Sequence, residues 1–478
     1  MKVVRRRDLF HPRRFSNLYR SIGLLSLLII GIWYVLRLEN GTIQGPFEPT
    51  PTSTRSANSY VEEAQAYFDA GILDKPGSNQ SAIGAYAQAA EVDPGNAEIW
   101  ADLARVQTYS SENLTSDSAQ NARLLQALAS ANKAVALAPS DSNVHAIRAF
   151  ALDWYATNPV TSQPQSYLAQ AYQEGTQAIS LDAQNPLALA FYAEVLVDQQ
   201  KVAQAEQYIQ QALQIGPDLM DVHRVDAYVL ESTANYSQAI GEYQKALQFS
   251  PNLTFLYISI GQNYRQLAFD SDNATEQNNL YNLALENFST AANLDKQLQI
   301  QDPLPFVAIA KTYAQEGDFF AAALNDQQAV AYDPTNADLY GQLGNIYYRA
   351  RNYETAMIAL QCAVSGCTAV ESCQARNGCP AGESGVAVTG LTLTPGSAVY
   401  YLDYGLDLAI FSPTYPNYCI EADKVLTQLM KAYGSDPSIS NNAPYGLSIC
   451  SSITSPKTQT AVPPAPASPS PTVGTPAP

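Results

Sequence analysis

Cysteines, histidines and carboxylates are the side chains of this 478-residue chain that could do chemistry, and their spacing narrows what that chemistry is. Cys362, Cys367, Cys373 and Cys379 fall within eighteen residues as C-x4-C-x5-C-x5-C, and Cys419 and Cys450 follow. Four thiolates can hold zinc, but zinc favours paired C-x2-C knuckles, and this spacing has none. An even number of cysteines favours disulfides, which would staple the Gly-rich insertion TAVESCQARNGCPAGESGVAVTG that has no evident core of its own. Six cysteines allow fifteen pairings, among which sequence does not choose. The expectation is two local bridges within the first four and one from Cys419 to Cys450.

The three histidines, His11, His145 and His223, are too few for a His-rich metal centre. His145 and His223 fall at equivalent places in a repeated pattern, where packing explains them. Adjacent carboxylates such as Glu62 and Glu63 read as a solvated helix face. Two carboxylates suffice for glycoside hydrolysis, yet no G-x-S-x-G, H-E-x-x-H, phosphate-loop or dinucleotide-binding string occurs in a credible context. No catalytic residue, no metal site and no cofactor is expected.

The elements that carry these residues recur. Leu189-x2-Tyr192-Ala193-x2-Leu196 is followed by Ala205-x3-Ile209, Ala212 and Pro217. The next unit has Ala227, Leu230, Ala239-x3-Tyr243, Ala246 and Pro251, and the two prolines are 34 residues apart. Later units read Phe306-x2-Ile309-Ala310-x2-Tyr313 and Tyr340-x2-Leu343-Gly344-x2-Tyr347, the latter followed by Ala356-x3-Leu360. At these residues the chain resembles the tetratricopeptide repeat (TPR) family, over roughly residues 59–437. The resemblance implies an all-α fold, a right-handed superhelical solenoid of about nine helical hairpins. Ala193, Ala227, Gly261, Ala310 and Gly344 are the small residues expected to let paired helices approach, met by Ala205, Ala239, Ala284, Ala322 and Ala356. Extra residues near 108–117, 157–165 and 270–279 all fall between the two helices of a hairpin, as a recognition lip or as neutral drift.

Outside the array the composition shifts. Seven basic residues crowd the first twenty positions beside one acid, leaving 19 basic and 43 acidic residues beyond, a net of −24. That balance disfavours nucleic acid as a partner. Residues 21–38 are expected to be a transmembrane signal-anchor helix, with an uncharged run of sixteen from Ser21 to Leu36. The basic flank then puts residues 1–20 in the cytoplasm and the bulk outside; a cleaved signal and a buried core helix are the alternatives. Residues 39–59 read as a flexible linker, 60–370 as the TPR array, 371–396 as the Cys/Gly-rich insertion, 397–452 as a C-terminal TPR-like hairpin and cap, and 453–478 as a Pro-rich disordered tail.

Grooves of TPR proteins are lined by the inward side of each first helix. Projecting that register gives Arg224, Tyr228, Gln262, Arg265, Lys311, Asn345 and Tyr348 as the partner-binding groove, suited to an extended peptide or partner helix. The leading reading is a single-pass, membrane-anchored, extracytoplasmic scaffold for protein–protein interaction in envelope assembly or secretion. The alternatives are an envelope glycan-processing enzyme or enzyme subunit and a structural surface protein.

Overall fold

The computed structural model describes residues 18–39, 55–75, 77–114, 116–379 and 384–454. The expected cytoplasmic segment up to residue 17, the linker over 40–54 and the Pro-rich tail from 455 lie outside the described residues. The chain divides into two units, Met1–Arg55 and Ser56–Pro478.

In the first unit the expected anchor is a helix, α1 (Leu18–Glu39), of 22 residues. Its residues Leu24–Leu28 and Ile29–Trp33 include exposed Leu, Ile and Trp side chains, and Ser26 returns its hydroxyl to the Ile22 carbonyl at 2.8 Å. Among the described residues no helix is long and apolar enough to cross a membrane. The physical reason is length: an uncharged run of sixteen residues falls short of the roughly twenty that span a bilayer core.

The second unit is all helix pairs. They are α2 (Ala57–Asp69) with α3 (Ala82–Val92), α4 (Ala97–Ser110) with α5 (Asp117–Leu137), α6 (Ser142–Thr157) with α7 (Pro164–Leu181), α8 (Pro186–Asp198) with α9 (Val202–Ile215), and α10 (Met220–Ser232) with α11 (Tyr236–Phe249). There follow α12 (Thr254–Asp270) with α13 (Ala274–Leu298), α14 (Leu304–Glu316) with α15 (Phe319–Tyr332), and α16 (Ala337–Arg349) with α17 (Tyr353–Val364). After the short α18 (Ala369–Ala375), α19 (Ala398–Phe411) pairs with α20 (Tyr418–Tyr433), and α21 (Pro437–Thr454) packs on both. These are nine hairpins and a capping helix among the described residues.

Three of the repeat phrases punctuate twice. Asp93, Asp182 and Asp333 close one helix, and the Asn three residues on starts the next. Asn96 accepts from the Glu98 amide at 3.1 Å, Asn185 from Leu187 at 3.0 Å, and Asn336 from Asp338 at 3.0 Å. These caps satisfy amides that have no partner within the helix. A ring six residues after each closing proline donates back to its carbonyl: Trp100 to Pro94 at 3.1 Å, Tyr257 to Pro251 at 3.0 Å and Tyr340 to Pro334 at 3.1 Å.

The small residues of the pattern are in the core. Ala193, Ala205, Ala227, Ala239, Ala284, Ala322 and Ala356 are fully buried. At Gly261 an added Cβ would lie 2.4 Å from the Phe288 ring, so only hydrogen fits between α12 and α13. The third insertion builds helix rather than loop: α12 and α13 run to 17 and 25 residues, with three residues between them.

Stacking curves the array until it meets itself. Asn252, after α11, donates its side-chain amide to the Asp69 carbonyl at 2.9 Å, 183 residues away in sequence. Inside the curve Tyr109 of α4 stacks on Phe255 of α12 at 5.3 Å.

Candidate functional site

A polar strut crosses the concave interior where the first turn closes. Arg105 donates from Nε and Nη2 to both Asp221 oxygens at 2.9 and 2.5 Å, and Tyr109 donates its hydroxyl to the same carboxylate. Arg224 donates from Nε to the Tyr109 oxygen at 3.1 Å and from Nη1 and Nη2 to Glu194 at 2.8 and 2.5 Å. Trp154 Nε1 also donates to Glu194, at 2.8 Å. Burial alone would raise Asp221, but Arg105 and the hydrogen bonds it receives hold its carboxyl below the usual range. Each buried charge here has its counterion and its hydrogen bonds, the condition under which such a network is tolerated.

Beside the strut lies a cleft of about 330 Å³ walled by Trp154, Tyr228, Tyr243 and Phe255, with Glu112, Asp198 and Glu231 at its edges. Tyr228 donates to Asp198 at 2.5 Å. Behind it Asp153 is fully buried, and burial together with the charges of Asp198 and Glu194 pushes its carboxyl well above the usual range. The cleft continues past Glu112, Phe255 and Ser259 into a second hollow of about 170 Å³ that Gln262, Arg265 and Lys311 line. Arg265 and Lys311 also line a third, of about 320 Å³, with Asp326, Asn345, Arg349 and Tyr400. Shared lining residues set the three hollows in a row as a channel-like groove along the concave face.

Six of the seven residues projected for the groove line this channel: Arg224, Tyr228, Gln262, Arg265, Lys311 and Asn345. They are not equally available. Arg224 is buried and bidentate to Glu194, so it braces the wall, and Asn345 donates to Asp403 at 2.7 Å. Gln262 and Lys311 are exposed in the channel. Tyr348 is outside these linings and packs edge-on against Tyr353 at 5.3 Å.

Sequence projection missed the lining from the inserted residues. Ser111 and Glu112 from the first insertion and Thr157, Asn158 and Pro159 from the second form one side of the cleft. The two insertions are tied together, Asn158 donating its side-chain amide to the Asp117 carbonyl at 3.4 Å. Their position between the helices of adjacent hairpins was the available signal.

Asp153 is closed off, Glu194 is consumed by Arg224 and Trp154, and Glu231 accepts from Asn263.

The cysteines pair as Cys362–Cys367, Cys373–Cys379 and Cys419–Cys450, leaving no thiolate for a metal. The first two bridges order the insertion, where Cys367 and Val388 exchange backbone hydrogen bonds at 3.0 and 2.9 Å. The third joins α20 to α21.

Paired helices closed by prolines and stacked in tandem are the architecture that tetratricopeptide repeats build. A family profile described as the tetratricopeptide repeat matches residues 327–357, the end of α15 through the start of α17. Among solved structures the chain is similar to a human IFIT1 dimer with m7Gppp-AAAA, at 15% identity and a TM-score of 0.50, covering 84% of this chain and 96% of that one. It is also similar to a thermophilic TPR protein of Thermus thermophilus, at 18% identity and a TM-score of 0.35 over 44% of this chain and 98% of that one. PilW, a widely conserved type IV pilus biogenesis factor, is 19% identical with a TM-score of 0.37, over 46% and 92% of the two chains. No curated protein matches the chain in sequence.

Proposed function

We propose that this chain is an extracytoplasmic TPR scaffold, anchored in the cell membrane through α1, that holds an extended segment of a partner protein in its concave channel during envelope assembly or secretion. The row of adjoining hollows carries the reading. It is lined by first-helix side chains of successive repeats, and that surface suits an extended strand or helix of a partner. Three disulfides support a compartment outside the cytoplasm. Arginines at positions 20 and 37, flanking the apolar run of α1, can extend its reach by snorkelling to the interfaces.

The test is capture of partners from crosslinked intact cells with the full chain and with Gln262→Trp. The new ring plugs the channel without changing its charge. Loss of a specific partner in the variant, with helix content unchanged, is the expected result. Equal recovery of every partner by both forms contradicts the proposal. Carbonate extraction tests the anchor separately: the chain should stay with membranes, and release of the full chain would exclude α1 as the anchor.

A further inference from the structure

The channel lining changes sign along its length. At the cleft end Glu112, Glu194, Asp198 and Glu231 face a single cation, Arg224, which Glu194 already neutralises. At the other end Arg265, Lys311 and Arg349 converge on the hollow of about 320 Å³. The carboxyl that shares this hollow, Asp326, is fully buried, and burial pushes it up to about 8, while the same burial lowers Lys311 and Arg265.

The cationic end also holds unused hydrogen-bonding capacity. Arg265 Nη1 is buried and has no partner among the described residues, and neither oxygen of Asp326 has one. Arg349 donates once, to the Ala314 carbonyl at 3.1 Å. Among the described residues the salt bridges involve none of these three cations. Buried donors without partners cost free energy that an arriving acceptor recovers. Carboxylates stand near two of these cations without an ion-pair contact, Asp338 acting through space on Lys311 and Asp403 on Arg349.

Resting on the peptide-binding reading above, we infer that the channel accepts an extended peptide in one direction, with Asp or Glu at the Arg265–Lys311–Arg349 end and Lys or Arg at the Glu112–Glu231 end. The reversed peptide would set like charges against each other at both ends, and such juxtaposition is what rejects wrong partners at charged interfaces. The apolar walls between, Phe255 and Ile258 on one side and Val307 on the other, then contact the middle of the segment without fixing its direction.

The experiment sorts a display library of random linear peptides on the full chain, and in parallel on Lys311→Glu/Arg349→Glu. Both substituted side chains are exposed, and circular dichroism checks that the variant is folded. The wild-type chain should enrich peptides whose acidic and basic residues stand in one constant order. The variant should lose the acidic preference at that end by about tenfold or more. Enriched peptides with charges in no constant order, or an acidic preference unchanged in the variant, overturn the inference while leaving peptide binding intact. Failure to enrich any peptide overturns peptide binding itself. Binding of a random RNA oligomer that the double substitution abolishes, with no peptide bound, would assign the basic hollow to phosphate and overturn both.

Discussion

His223 lies between two acceptors: Nε2 is 2.7 Å from the Pro217 carbonyl and Nδ1 is 2.8 Å from a Glu242 oxygen. A carbonyl and a carboxylate can only accept, so both ring nitrogens donate and the ring is an imidazolium. Burial opposes that charge, but the bonds to Glu242 and Pro217 outweigh it and raise the His223 pKa. His145 repeats the arrangement with Glu174 at 2.6 Å and Pro139 at 3.0 Å. Each histidine ties the turn before its hairpin to the second helix of that hairpin.

His223→Ala should therefore cost about 2–3 kcal/mol in chemical denaturation, the loss of hydrogen bonds to a charged group. His223→Tyr should cost less, because Tyr257 and Tyr340 make the same bond to their own closing prolines. The raised pKa fixes the sign with pH: this contribution is complete below the unfolded value of about 6.5 and disappears as pH rises through the folded one. An NMR titration of the His223 ring checks it.

Removing one member of the strut leaves its partners buried and unmatched. Arg224→Ala should cost about 3–5 kcal/mol, and Asp221→Ala a similar amount by stranding Arg105. Because Asp221 joins α10 to α4, its loss should also increase hydrogen exchange in α4, far away in sequence. Equal protection of α4 in wild type and variant would refute the strut's role in closing the turn.

Several buried carboxyls set the overall pH profile. Burial raises Asp295, Asp326 and Asp407 to about 8 and Asp302 to about 7. Folding thus binds protons, so their stabilisation is complete below the unfolded pKa of about 4 and falls as pH climbs toward 8. Asp221 and Glu242 are lowered and act oppositely, losing their contribution as pH falls through the folded values. Stability should peak in mild acid and decline by several kcal/mol toward pH 8. Thermal melts across this range test it, and a profile rising from pH 5 to 8 would contradict it.

Cys419 and Cys450 are buried and 31 residues apart. Closing a loop of that length constrains the unfolded chain by about 3–4 kcal/mol. Cys450→Ala should lower stability by about that amount, and hydrogen exchange should place the loss in α20 and α21.

The array was legible because its signal is local. Small residues at fixed spacing, such as Ala227 with Ala239, must meet within one hairpin, and they are buried there. Three closing phrases, at Asp93, Asp182 and Asp333, likewise carry both a helix stop and the next cap. The strut was not legible, since Arg105 and Asp221 stand 116 residues apart and meet only once the curvature of several stacked hairpins is known. For the same reason Arg224 read as an open groove residue, although Glu194 and Tyr109 enclose it. Nothing in AALNDQQAV marks Asp326 out, but its helical position turns it into the channel wall.

The most direct measurement is site-specific photo-crosslinking in intact cells, with the probe at Gln262 in the channel or at Gln238, which is exposed on α11. A discrete protein adduct from Gln262 that Gln238 does not give is the predicted result. The same adducts from both positions, or none from Gln262, would mean that the concave channel is not where this protein meets its partner.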